Sequence, residues 1–228
     1  MARRLVAASL AEDPGQAYAY AQEARQLAAR VGVVRETCGI AAYRAGEWAD
    51  ALAELRTARR LTGRASYLPM MADCERALGR LDRALALVRD PAAERADRAT
   101  QLELKIVESG IRRDQGRPEA AVVTLQVPEL TGGPVRPWSA RLFYAYADAL
   151  LEAGRQDEAR DWFARAAAAD RAGETDAGER LEELDPVLFE DLDEDLAEPD
   201  DLAEPGESRA TREEDPPEMG EDLDGDRG

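Results

Sequence analysis

Apolar positions in residues 1–173 recur every three or four residues rather than every second one. Trp48, Ala51, Leu52 and Leu55 form one such run, and Leu142, Tyr146, Ala149 and Leu150 form another. Residues at those intervals share one face of an α-helix, so the pattern predicts amphipathic helices. Alanine and other good helix formers dominate the same region. The stretch VVTLQV over 122–127 is the one run of strand-like composition, yet its position in the pattern described next predicts a helix that Pro128 ends.

A small motif is written four times. A glycine is preceded seven residues earlier by a tiny side chain, followed five residues later by alanine, and four after that by a larger apolar residue. The copies are Gly39, Gly46, Ala51, Leu55; Ala72, Gly79, Ala84, Val88; Ser109, Gly116, Ala121, Leu125; and Ala147, Gly154, Ala159, Phe163. The glycines stand 33, 37 and 38 residues apart, close to the ~34 of paired-helix arrays. In such an array the glycine turns the chain between two helices, and the tiny residue and the alanine let their backbones approach. Ala51 and Ala84 are therefore expected where the two helices of a hairpin touch.

These units resemble tetratricopeptide (TPR) repeats. Gly39, Tyr43, Gly46, Trp48, Ala51, Leu55 and Ala58 fit the signature, as do Ala147, Gly154, Ala159, Phe163 and Ala166. The middle copies depart from it: Pro118 stands where an aromatic is usual, and Glu75 and Arg112 replace the usual first-helix tyrosine. The resemblance implies an all-α chain, an α-solenoid of about five helix-turn-helix repeats. A weaker first copy is read at Ala8, Gly15 and Ala24, with Tyr20 where the alanine belongs. Its apolar Leu5, Val6 and Leu10 have no preceding element to cover them, so either this hairpin caps the array imperfectly or residues upstream are missing from the chain.

Charge divides the chain in two. Residues 174–228 hold 24 of the 48 acidic side chains and 4 of the 30 basic ones, which leaves 1–173 near +2 and the remainder near −20. The expected organisation is a repeat domain over 1–172, a helical cap or linker over 173–184, and a disordered acidic tail over 185–228. From its start Leu184, Leu188, Phe189, Leu192 and Leu196 recur at helical spacing between carboxylates, so two readings stand: a solubilising tail with no fixed contacts, or an amphipathic acidic helix, formed on binding, that screens a basic groove.

Candidate chemistry narrows by elimination. The chain has no histidine and two cysteines, Cys38 and Cys74, which leaves no triad, disulfide framework or metal set. Gly132 and Gly133 are not followed by the lysine and serine of a phosphate loop. No enzyme activity, cofactor or metal is therefore expected. The amino terminus lacks a signal-peptide core and no run approaches a membrane span, so the expectation is a cytoplasmic protein without membrane contact.

Binding is expected on the face lined by first helices. By repeat phase that groove carries Glu36, Ile40, Tyr43 and Arg44, then Asp73 and Arg76, then Lys105 and Arg113, then Arg141, Tyr144, Asp148 and Leu151. Cations interleaved with aromatics suit an acidic peptide or protein segment. The chaperone-binding clamp of some TPR domains is not carried over, because the chain has no asparagine and Gly110 stands beyond Lys105 where one would be needed. Arginine clusters at Arg56, Arg59, Arg60 and Arg64, and at Arg112, Arg113 and Arg117, motivate a nucleic-acid alternative, against which the near-neutral charge of 1–173 weighs.

Overall fold

A computed structural model describes residues 13–184, together with Arg3 and Ala7. Among the described residues every regular element is helical: α1 (Pro14–Leu27), α2 (Gly32–Arg44), α3 (Trp48–Thr62), α4 (Leu68–Ala77), α5 (Leu81–Val88), α6 (Pro91–Glu94), α7 (Arg98–Asp114), α8 (Pro118–Leu125), α9 (Pro128–Thr131), α10 (Ser139–Glu152), α11 (Gln156–Ala169) and α12 (Ala177–Leu184). Four hairpins pair α2 with α3, α4 with α5, α7 with α8, and α10 with α11. Successive hairpins stack, α3 on α4, α4 and α5 on α7, α7 and α8 on α10, and α12 covers α11. The acidic segment 185–228 lies outside the described residues, as do Leu5, Val6, Ala8 and Leu10.

The four repeat glycines make the hairpin turns. Gly46, Gly79, Gly116 and Gly154 have φ between +69° and +76°, a conformation that side chains with a Cβ resist. In each, the following residue donates its N–H to the carbonyl five positions back: Glu47 to Ala42, Arg80 to Glu75, Arg117 to Arg112 and Arg155 to Leu150, at 2.8–2.9 Å. This closes the first helix and points the chain back along it. The tiny residue and the alanine then meet across the hairpin. Ala51, Ala84, Ala121 and Ala159 are all fully buried, and a Cβ built on Gly39 would fall 2.7 Å from Leu55 Cγ. Ser109 satisfies its buried hydroxyl on the Ala121 carbonyl at 3.2 Å.

Two expectations need correction. Gly15 is not a hairpin turn but a residue of α1. Asp13 accepts from Gln16 N at 2.6 Å and Pro14 occupies the first helical position, so the helix starts three residues earlier than the glycine phase demanded. Ala17, Ala21 and Ala24 then bury where Ala51, Leu55 and Ala58 do in the next repeat. Residues 122–127 are helical only to Leu125. Val127 is extended, and Pro128 opens the short α9 rather than ending α8.

The second helices are unequal. α3 has 15 residues and α11 has 14, whereas α5 and α8 have 8 each. In both short cases a proline restarts the chain as a single turn, at Pro91 and Pro128. Proline excludes the preceding residue from the helical region, and Asp90 caps the new turn on Ala92 N at 2.8 Å. Buried apolar residues gather accordingly. A large cluster runs from Leu102 to Ala177, two more cover Ala17 to Cys74, and the clusters between them around Ala84 and Ala93 are small.

Two buried carboxylates tie the amino-terminal helices together. Glu54 of α3 accepts from Arg25 and Arg35, each at 2.6 Å. Glu75 of α4, fully buried, accepts from Arg56 at 2.5 Å and faces Arg80 at 3.5 Å. Glu75 therefore links α3, α4 and the turn after α4. Both cysteines are buried; burial pushes Cys38 up to about 11 and Cys74 to about 12, so neither thiol is a nucleophile at neutral pH.

Candidate functional site

Counting back from each turn glycine puts the first-helix residues on common rows. Three before it stand Tyr43, Arg76, Arg113 and Leu151; six before it stand Ile40, Asp73, Gly110 and Asp148; two before it stand Arg44, Ala77, Asp114 and Glu152. The structure turns this register into a ladder across repeats. The Tyr43 hydroxyl donates to Asp73 of the next repeat. Arg76 crosses to Asp114 at 3.2 Å, its guanidinium lying over Gly110. Arg113 crosses to Asp148 at 2.6 Å and to Glu152 at 2.5 Å. Arg76 and Arg113, each three before a glycine, thus rest on the residues six and two before the next, and Tyr43 on the residue six before.

This ladder floors a cleft of about 250 Å³ between α4, α7 and α10. Seven of the twelve residues expected in the groove line it: Tyr43, Asp73, Arg76, Arg113, Arg141, Tyr144 and Asp148. Ile40, Arg44 and Leu151 occupy the ends of the rows, where no described first helix continues them. Glu36 lies outside the cleft, 3.5 Å from Arg64. Lys105 faces elsewhere. The row ten before the glycine holds Pro69, Ile106 and Tyr144, so Lys105 is one residue off it and rotated by about 100°. It pairs with Glu108 at 3.0 Å and lines a separate hollow of about 580 Å³ beside α6 and Val127. Only one first helix, α7, contributes to that hollow.

Residues the repeat phase did not single out complete the cleft. Glu103 of α7 accepts from Arg141 at 2.9 Å. Ile106, Pro69 and Met70 supply apolar wall. An adjoining hollow of about 440 Å³ shares Ile106, Arg141, Tyr144 and Ala145 and adds Glu174 and Asp176 from the loop before α12. A cross-repeat reading of the sequence would have found part of this: Arg76 to Asp114 spans 38 residues and Arg113 to Glu152 spans 39, near the repeat length itself.

The electrostatics differ from the expectation of a basic groove. Every expected groove cation that lines the cleft already meets carboxylates, Arg76 those of Asp73 and Asp114, Arg113 those of Asp148 and Glu152, and Arg141 that of Glu103. Burial raises the Glu103 carboxyl above its ordinary value in spite of Arg141, and the Glu174 and Asp73 carboxylates add to the rise. Burial also raises the Tyr43 and Tyr144 hydroxyls, with Asp73 beside the first and Asp176 beside the second. Tyr144 is held edge-on to Phe163 at 5.4 Å and Tyr43 edge-on to Trp48 at 5.3 Å, so both rings are fixed at the cleft wall. Among the described residues no group of three or more side chains is placed to hold a metal ion, and no helix is long and apolar enough to cross a membrane.

No protein-family model and no curated protein matches the sequence. Solved structures do. A thermophilic TPR protein of Thermus thermophilus is similar at 18% identity, over 75% of this chain and 90% of that one, with a TM-score of 0.58. YrrB, a TPR protein with an unusual peptide-binding site, is similar at 14% identity, over 70% of this chain and 79% of that one, with a TM-score of 0.42. The TPR domain of P58(IPK) is similar at 16% identity, over 84% of this chain and 66% of that one, with a TM-score of 0.36.

Proposed function

We propose that this chain, which has the TPR fold, is a noncatalytic scaffold that holds a segment of a partner protein in the cleft over α4, α7 and α10. One observation carries the reading: side chains from successive first helices converge on a single hollow, so a ligand seated there touches several repeats at once. Tyr43 and Tyr144 are rigid, half-buried anchors of the kind that dominate binding energy. The ion pairs around them hold the wall in place before a ligand arrives, which lowers the ordering cost of binding. A cytoplasmic setting, expected from the sequence, belongs to the same proposal.

Ion pairing of five of the seven clustered arginines weighs further against the nucleic-acid alternative. Arg56, Arg59 and Arg64 are paired with Glu75, Asp90 and Glu36, and Arg112 and Arg113 with Glu108 and Asp148. The acidic ligand and the screening acidic tail, both inferred from a basic groove, are weakened by the same pairing.

A photo-crosslinking amino acid tests the scaffold reading. Placed at Tyr144 of the full chain, it is expected to capture a protein partner from a lysate, and the same group at Val123, which is 66% exposed outside the cleft, is not. Equal capture from both positions, or capture from Val123 alone, rejects the cleft.

A further inference from the structure

We propose that the segment bound in this cleft is basic, presenting lysine or arginine side chains to Glu103 and Glu174. The inference rests on the scaffold reading above and adds the chemistry of the partner.

Charge in and around the hollow is unequal. The two adjoining parts are lined by three arginines, Arg76, Arg113 and Arg141, and by five carboxylates, those of Asp73, Glu103, Asp148, Glu174 and Asp176. At the rim, Asp114 and Glu152 add two more negative charges, while Arg180, 3.7 Å from Asp148, adds one positive charge. Arg76 and Arg113 are spent on the ladder, and Arg141 pairs with Glu103. An acidic ligand would have to displace the Asp73, Asp114, Asp148 or Glu152 carboxylates to reach the first two and compete with Glu103 for the third, and would itself face the excess negative charge.

Around Glu103 the imbalance is sharpest. One of its oxygens accepts from Arg141, whose guanidinium is half exposed. Burial opposes its ionisation in spite of Arg141, and Glu174 and Asp73 add to that opposition, so Arg141 alone does not compensate the site. A ligand cation seated between Glu103 and Glu174 would supply the missing charge through charge-assisted hydrogen bonds. Tyr144 lines both parts of the hollow, and its ring offers a face to a guanidinium or ammonium group. Ile106, Pro69 and Met70 supply apolar surface for the methylene stems of such side chains.

The experiment uses the full chain and three fluorescein-labelled dodecapeptides with the same alanine and tyrosine positions. They carry lysine, glutamate or serine at the remaining positions, and binding is read by anisotropy. The lysine peptide is expected to bind tightest. The double variant Glu103→Gln, Glu174→Gln is expected to weaken it about tenfold or more, the equivalent of about 1.4 kcal/mol, with unchanged helicity by circular dichroism. Asp82→Asn with Glu119→Gln, which neutralises two acids outside the cleft, is expected to leave it unchanged. If the lysine peptide binds but ignores the Glu103 and Glu174 substitutions, it is held by carboxylates elsewhere in this acidic chain and the inference fails. If the glutamate or serine peptide binds tighter and Tyr144→Ala removes it, the inference fails while the scaffold reading stands. If Tyr144→Ala changes the binding of none of the three, peptide binding in this cleft fails as well.

Discussion

Replacing Gly39 with alanine sets two opposed effects against each other where, among the described glycines, an added Cβ meets the tightest space. A glycine inside a helix costs about 0.5–1 kcal/mol relative to alanine, so the backbone gains that much from the change. Against it, the new methyl would lie 2.7 Å from Leu55 Cγ, 2.8 Å from Leu55 Cδ2 and 3.3 Å from Leu55 N. Carbon atoms settle about 3.5–4.0 Å apart, so Leu55 must retreat by nearly 1 Å. Leu55 is fully buried, and its nitrogen cannot rotate away, so α3 as a whole has to shift. Overpacking of this kind costs about 1–3 kcal/mol, and with the helix gain set against it the net loss is about 1 kcal/mol, or roughly 3 °C in Tm. Gly110→Ala is the control. It is also helical, but its Cβ would meet only the Arg76 guanidinium, the far end of a flexible side chain, at 3.4 Å, so it should stabilise by about 0.5 kcal/mol. Urea denaturation of both variants, and of Gly39→Ala in a Leu55→Ala background, completes a cycle. Truncating Leu55 opens the space, so there Gly39→Ala should become neutral or stabilising, with a coupling of about 2 kcal/mol. Stabilisation by Gly39→Ala in the wild-type background, or an unchanged cost in the Leu55→Ala background, would refute the close-contact account.

Three further expectations concern the same scaffold. Ala51→Leu and Ala84→Leu should each cost about 1–3 kcal/mol by overpacking the hairpin contact, and unchanged thermal melting of both would remove the register assigned to these helices. Glu75→Ala should cost about 2 kcal/mol in urea denaturation, since it empties a fully buried site and frees Arg56 and Arg80; the two arginines are about half exposed and stay hydrated, which keeps the loss below that of a fully buried pair. Glu103→Gln should raise Tm at pH 7 by about 1–2 °C. The folded-state pKa of Glu103 is raised, so its ionised form opposes folding above that value, and the gain should vanish below about pH 4, where the unfolded chain also binds the proton; a gain of equal size at both pH values would contradict this sign.

What the sequence made legible follows from what a fixed interval can encode. Gly46, Gly79, Gly116 and Gly154 were readable because one backbone conformation recurs, and Ala51, Ala84, Ala121 and Ala159 because one contact recurs with it. Tyr43, Arg76, Arg113 and Tyr144 share a cleft for the same reason. The first repeat was misread because Asp13 and Pro14 start a helix by local capping, which overrides a weak glycine signal. Lys105 was misplaced because one residue is about 100° of helix rotation. Glu103, Glu174 and Asp176 were not anticipated, since phase within a repeat tells which face a side chain takes and not which neighbour it meets across the stack. That neighbour decides the charge of the cleft.

The two eight-residue helices have a mechanical consequence. At about 1.5 Å per residue, α5 and α8 offer roughly 12 Å of length to their neighbours where α3 offers about 22 Å. In a linear array each joint contributes its own term to cooperativity, so these joints are the compliant seam between two stiffer blocks. Local opening should begin there, and amide hydrogen exchange should be faster in α5 and α8 than in α3 and α11. The cleft bridges that seam from the other face, with Tyr43 on one side and Tyr144 on the other. A bound segment would act as a splint, making the blocks melt as one, and the flexibility of the middle repeats becomes the quantity through which occupancy is felt at both ends of the chain.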